Sequence, residues 1–426
     1  MVLRILKYVG LTLLALITLG VMSSCTMLGL NYASLETDNK PSPVPELVLT
    51  DLQDWTRQRE ALLEEFQEVV YGPWPQDLAV SLISRRVADE NFAGGAARLE
   101  EFQIRLGVGD AAEDFFLGLA VPKGAAPGSL GVVIGQTFSD NCGVFQSLAL
   151  RQASGAPCDG TDIPWLVEYI FGEYIAEVPF EQYFEAGFAY ANYYGSDVVP
   201  DRVEAGRAVM DRLKDAGGTA PTGALMAWAY AYKAAIDVLE NEAWLDEERI
   251  AVYGHSRHGK SALLGGIFDR RIDLVLSHQS GFGGAALSRS TVGEGIGRVT
   301  ETYPHWFAPG FDARATSPEA LPVDQHQLLA TLAPTPVFLG NGRRDVWSDP
   351  NSTFRAAEAA DPVYDLYGVQ GLVQSGLIDF APGGGIAYFL RPGGHGTDKR
   401  DIAAIVDFLK AQTASGIGAG QHVASP

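Results

Sequence analysis

Positive charge is in short supply. The 426 residues hold 31 Lys and Arg against 52 Asp and Glu, a formal net charge of -21 with a pI near 4.7. Coulomb repulsion therefore opposes nucleic acid or an anionic lipid surface as a partner. No long acidic block accounts for the excess, which reads as a solvated acidic surface. Internal repeats and low-complexity tracts are missing too, so neither a repeat array nor a compositionally biased chain is indicated. Long apolar runs are scarce: the one at 8–22 is short for a membrane span. Cysteine is nearly absent, with three residues at 25, 142 and 158.

What is present is enough apolar material for a large core, 47% of residues at a mean hydropathy of +0.04. Length alone allows two domains. The alternation of strands and helices below argues for one elaborated domain, at 49–415, with a flexible tail at 416–426.

Residues 1–25 read as an export signal: Arg4 and Lys7 start it, an apolar stretch follows, and Met22-Ser23-Ser24 approaches Cys25. The end resembles a bacterial lipoprotein signal, in which the cysteine is lipidated as the first mature residue. The expected place is then the periplasm or cell surface, with plain secretion as the alternative. Pro41, Pro43 and Pro45 mark 26–48 as a tether. Export permits a disulfide between Cys142 and Cys158, which share one Gly-rich loop region, the alternative being two buried thiols.

Helical spacing of Trp55, Leu62, Leu63, Phe66, Val69 and Val70 predicts a helix over 52–71 that stops at Gly72-Pro73. Runs at 79–88, 99–108 and 114–122 then predict an antiparallel edge. Short apolar runs at 131–135, 187–193, 250–254, 274–279, 336–340 and 386–390 follow, separated by connections with helical character such as 222–239. Short buried strands alternating with helices mean a mostly parallel sheet covered on both faces, a three-layer α/β sandwich.

Ligands in such sheets bind beyond the carboxyl ends of the strands. There lies Gly254-His255-Ser256-Arg257-His258-Gly259-Lys260, a strand that breaks at glycine and passes through serine into a helix. That is the pattern of a nucleophile elbow, and it predicts the α/β-hydrolase fold. The usual GxSxG is not matched, because Gly259 stands one position late.

A serine hydroxyl needs a base, and the base a carboxylate, in the chain order serine, acid, histidine. His422 lies in the tail, and His305 and His326 precede the last strands. His395, just after the final predicted strand, is the one placed to reach back. Asp345, beyond the strand 336–340, is the expected acid, with Asp349 as the main rival.

The elbow, Ser277-His278-Gln279-Ser280-Gly281-Phe282-Gly283-Gly284, Tyr303-Pro304-His305-Trp306-Phe307, Asp324-Gln325-His326-Gln327 and Gly393-Gly394-His395-Gly396-Thr397-Asp398 together resemble the bacterial branch of carbohydrate esterase family 15, the glucuronoyl esterases. The resemblance covers about 50–413. It implies cleavage, without metal or cofactor, of esters between (4-O-methyl-)glucuronic acid on xylan and lignin alcohols. By position it makes Ser256 the nucleophile, His395 the base and Arg257 an oxyanion holder, with Lys260, Glu294 and Trp347 on the sugar. Core packing for Trp347 and an ion pair for Lys260 and Glu294 are the plainer readings. One departure stands out: fungal members carry a glutamate where this chain has Gln279, so Asp345 has to supply the carboxylate. The partner implied is a glucuronoxylan or another uronic acid-containing polysaccharide ester. An acetyl xylan esterase and a silent polysaccharide-binding lipoprotein are the alternatives.

Overall fold

The structure, a computed structural model, describes residues 2–37, 44–152, 154–314 and 317–415. The chain divides into two units, Met1–Pro41 and Ser42–Pro426. The first is one helix, Val2–Thr37, whose stretch Lys7–Thr26 is long and apolar enough to cross a membrane. It runs through Cys25 and into the region read as a tether. Prolines, which would stop it, begin only at 41. The rest of that tether, 38–43, and the expected tail, 416–426, lie outside the described residues.

Among the described residues of the second unit nine strands form one sheet: β1 Val80–Phe92, β2 Ala97–Leu106, β3 Glu113–Pro122, β4 Leu130–Thr137, β5 Phe188–Tyr194, β6 Leu245–His255, β7 Leu274–His278, β8 Val337–Gly342 and β9 Ile386–Arg391. The order is β1-β2-β3-β5-β4-β6-β7-β8-β9. The first three strands and the β3/β5 pair are antiparallel, and β5 through β9 run parallel. Each expected run corresponds to a strand. β1 extends past the expected end because its polar, half-exposed residues still pair along the sheet edge.

Alternation along the strands builds the layers. Val132 and Ile134, Ile250 and Val252, Val337 and Leu339 enter one apolar cluster, while Val133, Ala251 and Phe338 enter the other. Helices Ala224–Leu239, Arg257–Phe268 and Pro350–Leu366 feed the first, and Lys399–Ser415 feeds the second. Phe338 is fully buried among Phe380, Phe389 and Phe408, and its replacement by alanine should cost about 3–5 kcal/mol.

The expected helix over 52–71 is an α-helix, Leu52–Glu65, followed by a π-turn, Phe66–Tyr71. It stops at Gly72, at φ +83°, where a Cβ would meet Thr222 Oγ1 at 2.2 Å. The turn leaves Tyr71 buried with its hydroxyl donating to Gly283 O at 3.0 Å, which ties this segment to the loop after β7.

Register sets the site. His255 pairs with His278, His278 with Gly340, and Gly342 with Arg391, so the carboxyl ends of β6 to β9 finish side by side.

Candidate active site

Ser256 stands at the end of β6 with φ 58° and ψ -123°, a conformation that costs a non-glycine residue about 1–3 kcal/mol. The surroundings hold it there. Its amide donates to His278 O at 2.7 Å, and its carbonyl accepts from the Gly259 amide at 2.9 Å. A Cβ at Gly254 would lie 2.0 Å from His258 O, and one at Gly259 would lie 3.0 Å from Gly254 O. The two glycines thus face each other across the turn, and the shifted spacing still makes a cramped elbow. His258, the residue between, is buried against Phe138 and Trp228. Burial and Arg257 push its pKa down to about 3.

His395 Nδ1 donates to Asp345 Oδ2 at 2.7 Å. Asp345 is buried, and burial alone would raise its pKa. The charge and hydrogen bond of His395, with bonds from Ser348, hold it below the ordinary carboxylate range. The rival Asp349 caps helix Pro350–Leu366, accepting from the Ser352 amide at 3.0 Å and from the Ser290 hydroxyl.

Gln279, in the position where a fungal glutamate was expected, is a clamp. Its Oε1 accepts from the Gly396 amide at 2.7 Å and its Nε2 donates to Gly394 O at 3.2 Å, so it grips the histidine loop on both sides of His395. A glutamate would lose the second bond.

Arg257 opens the helix Arg257–Phe268, and its amide is one of the first-turn donors that the helix itself leaves unpaired. Its guanidinium lies 4.8 Å from the Trp306 ring, 5.0 Å from Tyr303 and 5.5 Å from Phe138, a three-ring cage. Asp201 pairs with it. Burial alone would raise the Asp201 pKa. Hydrogen bonds from His305 Nε2 at 3.0 Å, Trp306 Nε1 at 2.7 Å and Arg257, with the charge of Arg257, hold it far below the usual range.

Lys260 is buried, and its ammonium donates to Ser280 O and Phe282 O, both at 2.6 Å, with Glu294 at 3.7 Å. Burial, only partly offset by Glu294, lowers its pKa to about 8. Trp347 is half exposed, with Arg298 stacked 4.5 Å from its ring, and its carbonyl accepts from the Glu294 amide at 3.0 Å. The ion pair and the exposed ring thus sit on neighbouring backbone. Cys142 and Cys158 are joined in a disulfide with Cα atoms 5.9 Å apart, and Cys25 is a free, exposed thiol.

Sequence reasoning did not find Asp201, Ser348 or the gripping role of Gln279. Asp201 lies just past β5, at the carboxyl end of the sheet, and that position was the available signal. Among the described residues there is no group of three or more His, Cys, Asp or Glu that could hold a metal ion.

An α/β-hydrolase sheet with a strained serine, a carboxylate-bound histidine and a caged arginine at its strand ends defines an ester hydrolase. Comparison with known proteins narrows the class. The family model described as "Glucuronyl esterase, fungi" matches residues 174–368. The carbohydrate esterase MZ0003, from an unknown prokaryotic organism, is 30% identical over 400 residues, 89% of this chain and 91% of that one. The 4-O-methyl-glucuronoyl methylesterase of Hypocrea jecorina (strain QM6a) is 31% identical over 247 residues, 55% of this chain and 52% of that one. Among solved structures, a promiscuous CE15 esterase from the marine bacterial metagenome superposes with a TM-score of 0.74 at 28% identity, over 88% of this chain and 98% of that one. The glucuronoyl esterase from Solibacter usitatus gives 0.73 at 26%, with the same coverage. The chain belongs to carbohydrate esterase family 15, the glucuronoyl esterases, and is an esterase.

Proposed function

We propose that this enzyme hydrolyses esters of (4-O-methyl-)glucuronic acid, the kind that join xylan to lignin alcohols, through an acyl-enzyme on Ser256. The observation that carries the reading is the 2.7 Å bond between His395 and Asp345 at the strand ends beside the Ser256 elbow. His395 Nε2 takes the Ser256 hydroxyl proton as Oγ attacks the ester carbon. Asp345 stabilises the imidazolium so formed and stays ionised. The oxyanion is met by the Arg257 amide, with its guanidinium held close by Asp201 and the ring cage. His395 then returns the proton to the departing alcohol. Water repeats the sequence on the acyl-enzyme, releasing the uronic acid and restoring Ser256.

On the uronate ring we place Lys260, Glu294 and Trp347. The ammonium of Lys260, already shared by two carbonyls, fixes the floor of the sugar site, and the Glu294 carboxylate accepts from ring hydroxyls. The half-exposed Trp347 offers an apolar face to the pyranose. Kinetics on benzyl glucuronate beside acetylated xylan and 4-nitrophenyl acetate test the reading. The expected result is a higher kcat/KM on the glucuronate ester. Faster cleavage of the acetyl esters would favour an acetyl xylan esterase.

We further propose that residues 49–415 are the catalytic domain and that the N-terminal apolar segment directs export. Cleavage before Cys25 and lipidation of that thiol would place the enzyme in the periplasm or at the cell surface, next to its polysaccharide. The apolar stretch Lys7–Thr26, following Arg4, and the exposed thiol support this. Incorporation of labelled palmitate that is lost in Cys25→Ser tests it. Unlabelled enzyme in the medium would indicate plain secretion.

A further inference from the structure

The mechanism above uses one of several histidines gathered at the strand ends. His255, immediately before Ser256, is buried, and its ring centroid lies 4.6 Å from that of His395. Strand register sets it opposite His278, with the two Nδ1 atoms 2.8 Å apart. His278 Nε2 lies 3.0 Å from Asp401 Oδ1, and Asp401 Oδ2 accepts from Arg391 Nε at 2.5 Å and from the Asp398 amide at 2.8 Å. Arg391 in turn donates to Gly396 O at 2.5 Å, in the loop that carries His395. The neighbouring strand makes room for this chain through Gly340, where a Cβ would lie 2.4 Å from His278 Cδ2.

Two facing Nδ1 atoms at hydrogen-bond distance share a single proton. Asp401, paired with Arg391, accepts from His278 Nε2–H. In that tautomer His278 Nδ1 is an acceptor, and His255 donates its Nδ1–H. His255 Nε2 is then left as a lone pair, and that buried atom has no hydrogen-bond partner among the described residues. A second proton on His255 is disfavoured by burial first, then by His395, His278, His258 and Arg391 around it. Across the small cavity beside it lie Tyr174, Glu177, Tyr183, Tyr190 and Tyr253.

The geometry points to His255 as a positioning residue for the reaction: a neutral ring, locked in one tautomer by His278 and Asp401, that backs His395 while it carries the proton taken from Ser256. An uncharged ring at this distance supports the imidazolium, whereas a charged one would oppose it. The inference rests on His395 as the base, so His395→Asn is the control.

Three variants test it, measured for kcat, KM and the pH dependence of kcat on benzyl glucuronate. His255→Asn keeps a donor toward His278 and removes the ring. Its kcat should fall about tenfold or more, part of the 10²–10⁴ that acid–base catalysis supplies, with little change in KM. His255→Phe returns a neutral ring and should recover most of that loss. His278→Gln still offers an acceptor, its amide oxygen, to His255 Nδ1–H and should keep kcat and KM near wild type. Wild-type kcat in His255→Asn, no recovery in folded His255→Phe, or a folded His278→Gln that falls as far as His255→Asn would overturn the inference. If His278→Gln does not fold, the Asn and Phe pair decides. Activity surviving in His395→Asn would instead sink the base assignment itself.

Discussion

Asp345→Asn removes one charge from a buried site and leaves its shape. In the native enzyme the carboxylate accepts from His395 Nδ1 at 2.7 Å and from the Ser348 amide at 3.3 Å. When His395 becomes an imidazolium, charges about 3–4 Å apart at an effective dielectric near 20 attract by roughly 4–5.5 kcal/mol. An asparagine forfeits that attraction, and its NH₂ group can also hold the ring in the wrong tautomer. The same change in a serine protease triad costs about 10⁴ in kcat, close to 5.5 kcal/mol. The expectation here is a fall in kcat of about 10³–10⁴, with KM on benzyl glucuronate nearly unchanged. Alcohol release under substrate saturation measures it, with circular dichroism to show that the fold persists. A stability signature goes with it. The folded-state pKa of Asp345 lies below its unfolded value, so its contribution is present above about pH 4 and is lost as pH falls further. The variant should lack that part of the acid sensitivity. Activity within tenfold of wild type in a folded Asp345→Asn enzyme would refute this reasoning and turn attention to Asp349.

Asp201→Asn should loosen Arg257 from its cage and lower kcat by about 10²-fold, the low end of the range for losing one oxyanion donor, and should also lower the unfolding midpoint at neutral pH, where the ionised carboxylate stabilises the fold; an unchanged kcat would remove Arg257 from the oxyanion site. Replacing Cys142 and Cys158 together by alanine should cost roughly 3 kcal/mol for a loop of this length, read from guanidinium unfolding, and free thiols in the native enzyme would contradict the bond. Lys260 loses its proton near pH 8, earlier than an exposed lysine. Since the charged form is the one proposed to organise the sugar site, KM for glucuronate esters should rise as pH increases through 8, and a flat KM to pH 9.5 would remove that charge from binding.

The strands were legible because the parallel ones are buried on both faces and read as short apolar runs. Where polar residues pair along a strand, the ends were missed. β6 starts at Leu245, which pairs with Leu130, and Asp246 to Arg249 then break the register, with an Arg249–Asp246 ion pair at 2.7 Å, before pairing resumes between Ile250 and Val132. His395 was readable from chain order, and Asp345 from its place one strand earlier. Asp201 was not, since it meets Arg257 across 56 residues and only the sheet order brings them together. His255 and His278 stood in plain sight within the motifs, but their contact exists only through the β6/β7 register. Gln279 was seen as a missing charge, while its work is hydrogen bonding to backbone that composition does not reveal.

Ser256 as the nucleophile of a uronate esterase can be tested by labelling the intact protein with a fluorophosphonate probe, followed by peptide mapping. The expected result is a single adduct on Ser256, absent from Ser256→Ala and slowed when benzyl glucuronate is present. An adduct on another serine, or labelling of Ser256 that the glucuronate ester does not slow, would contradict it.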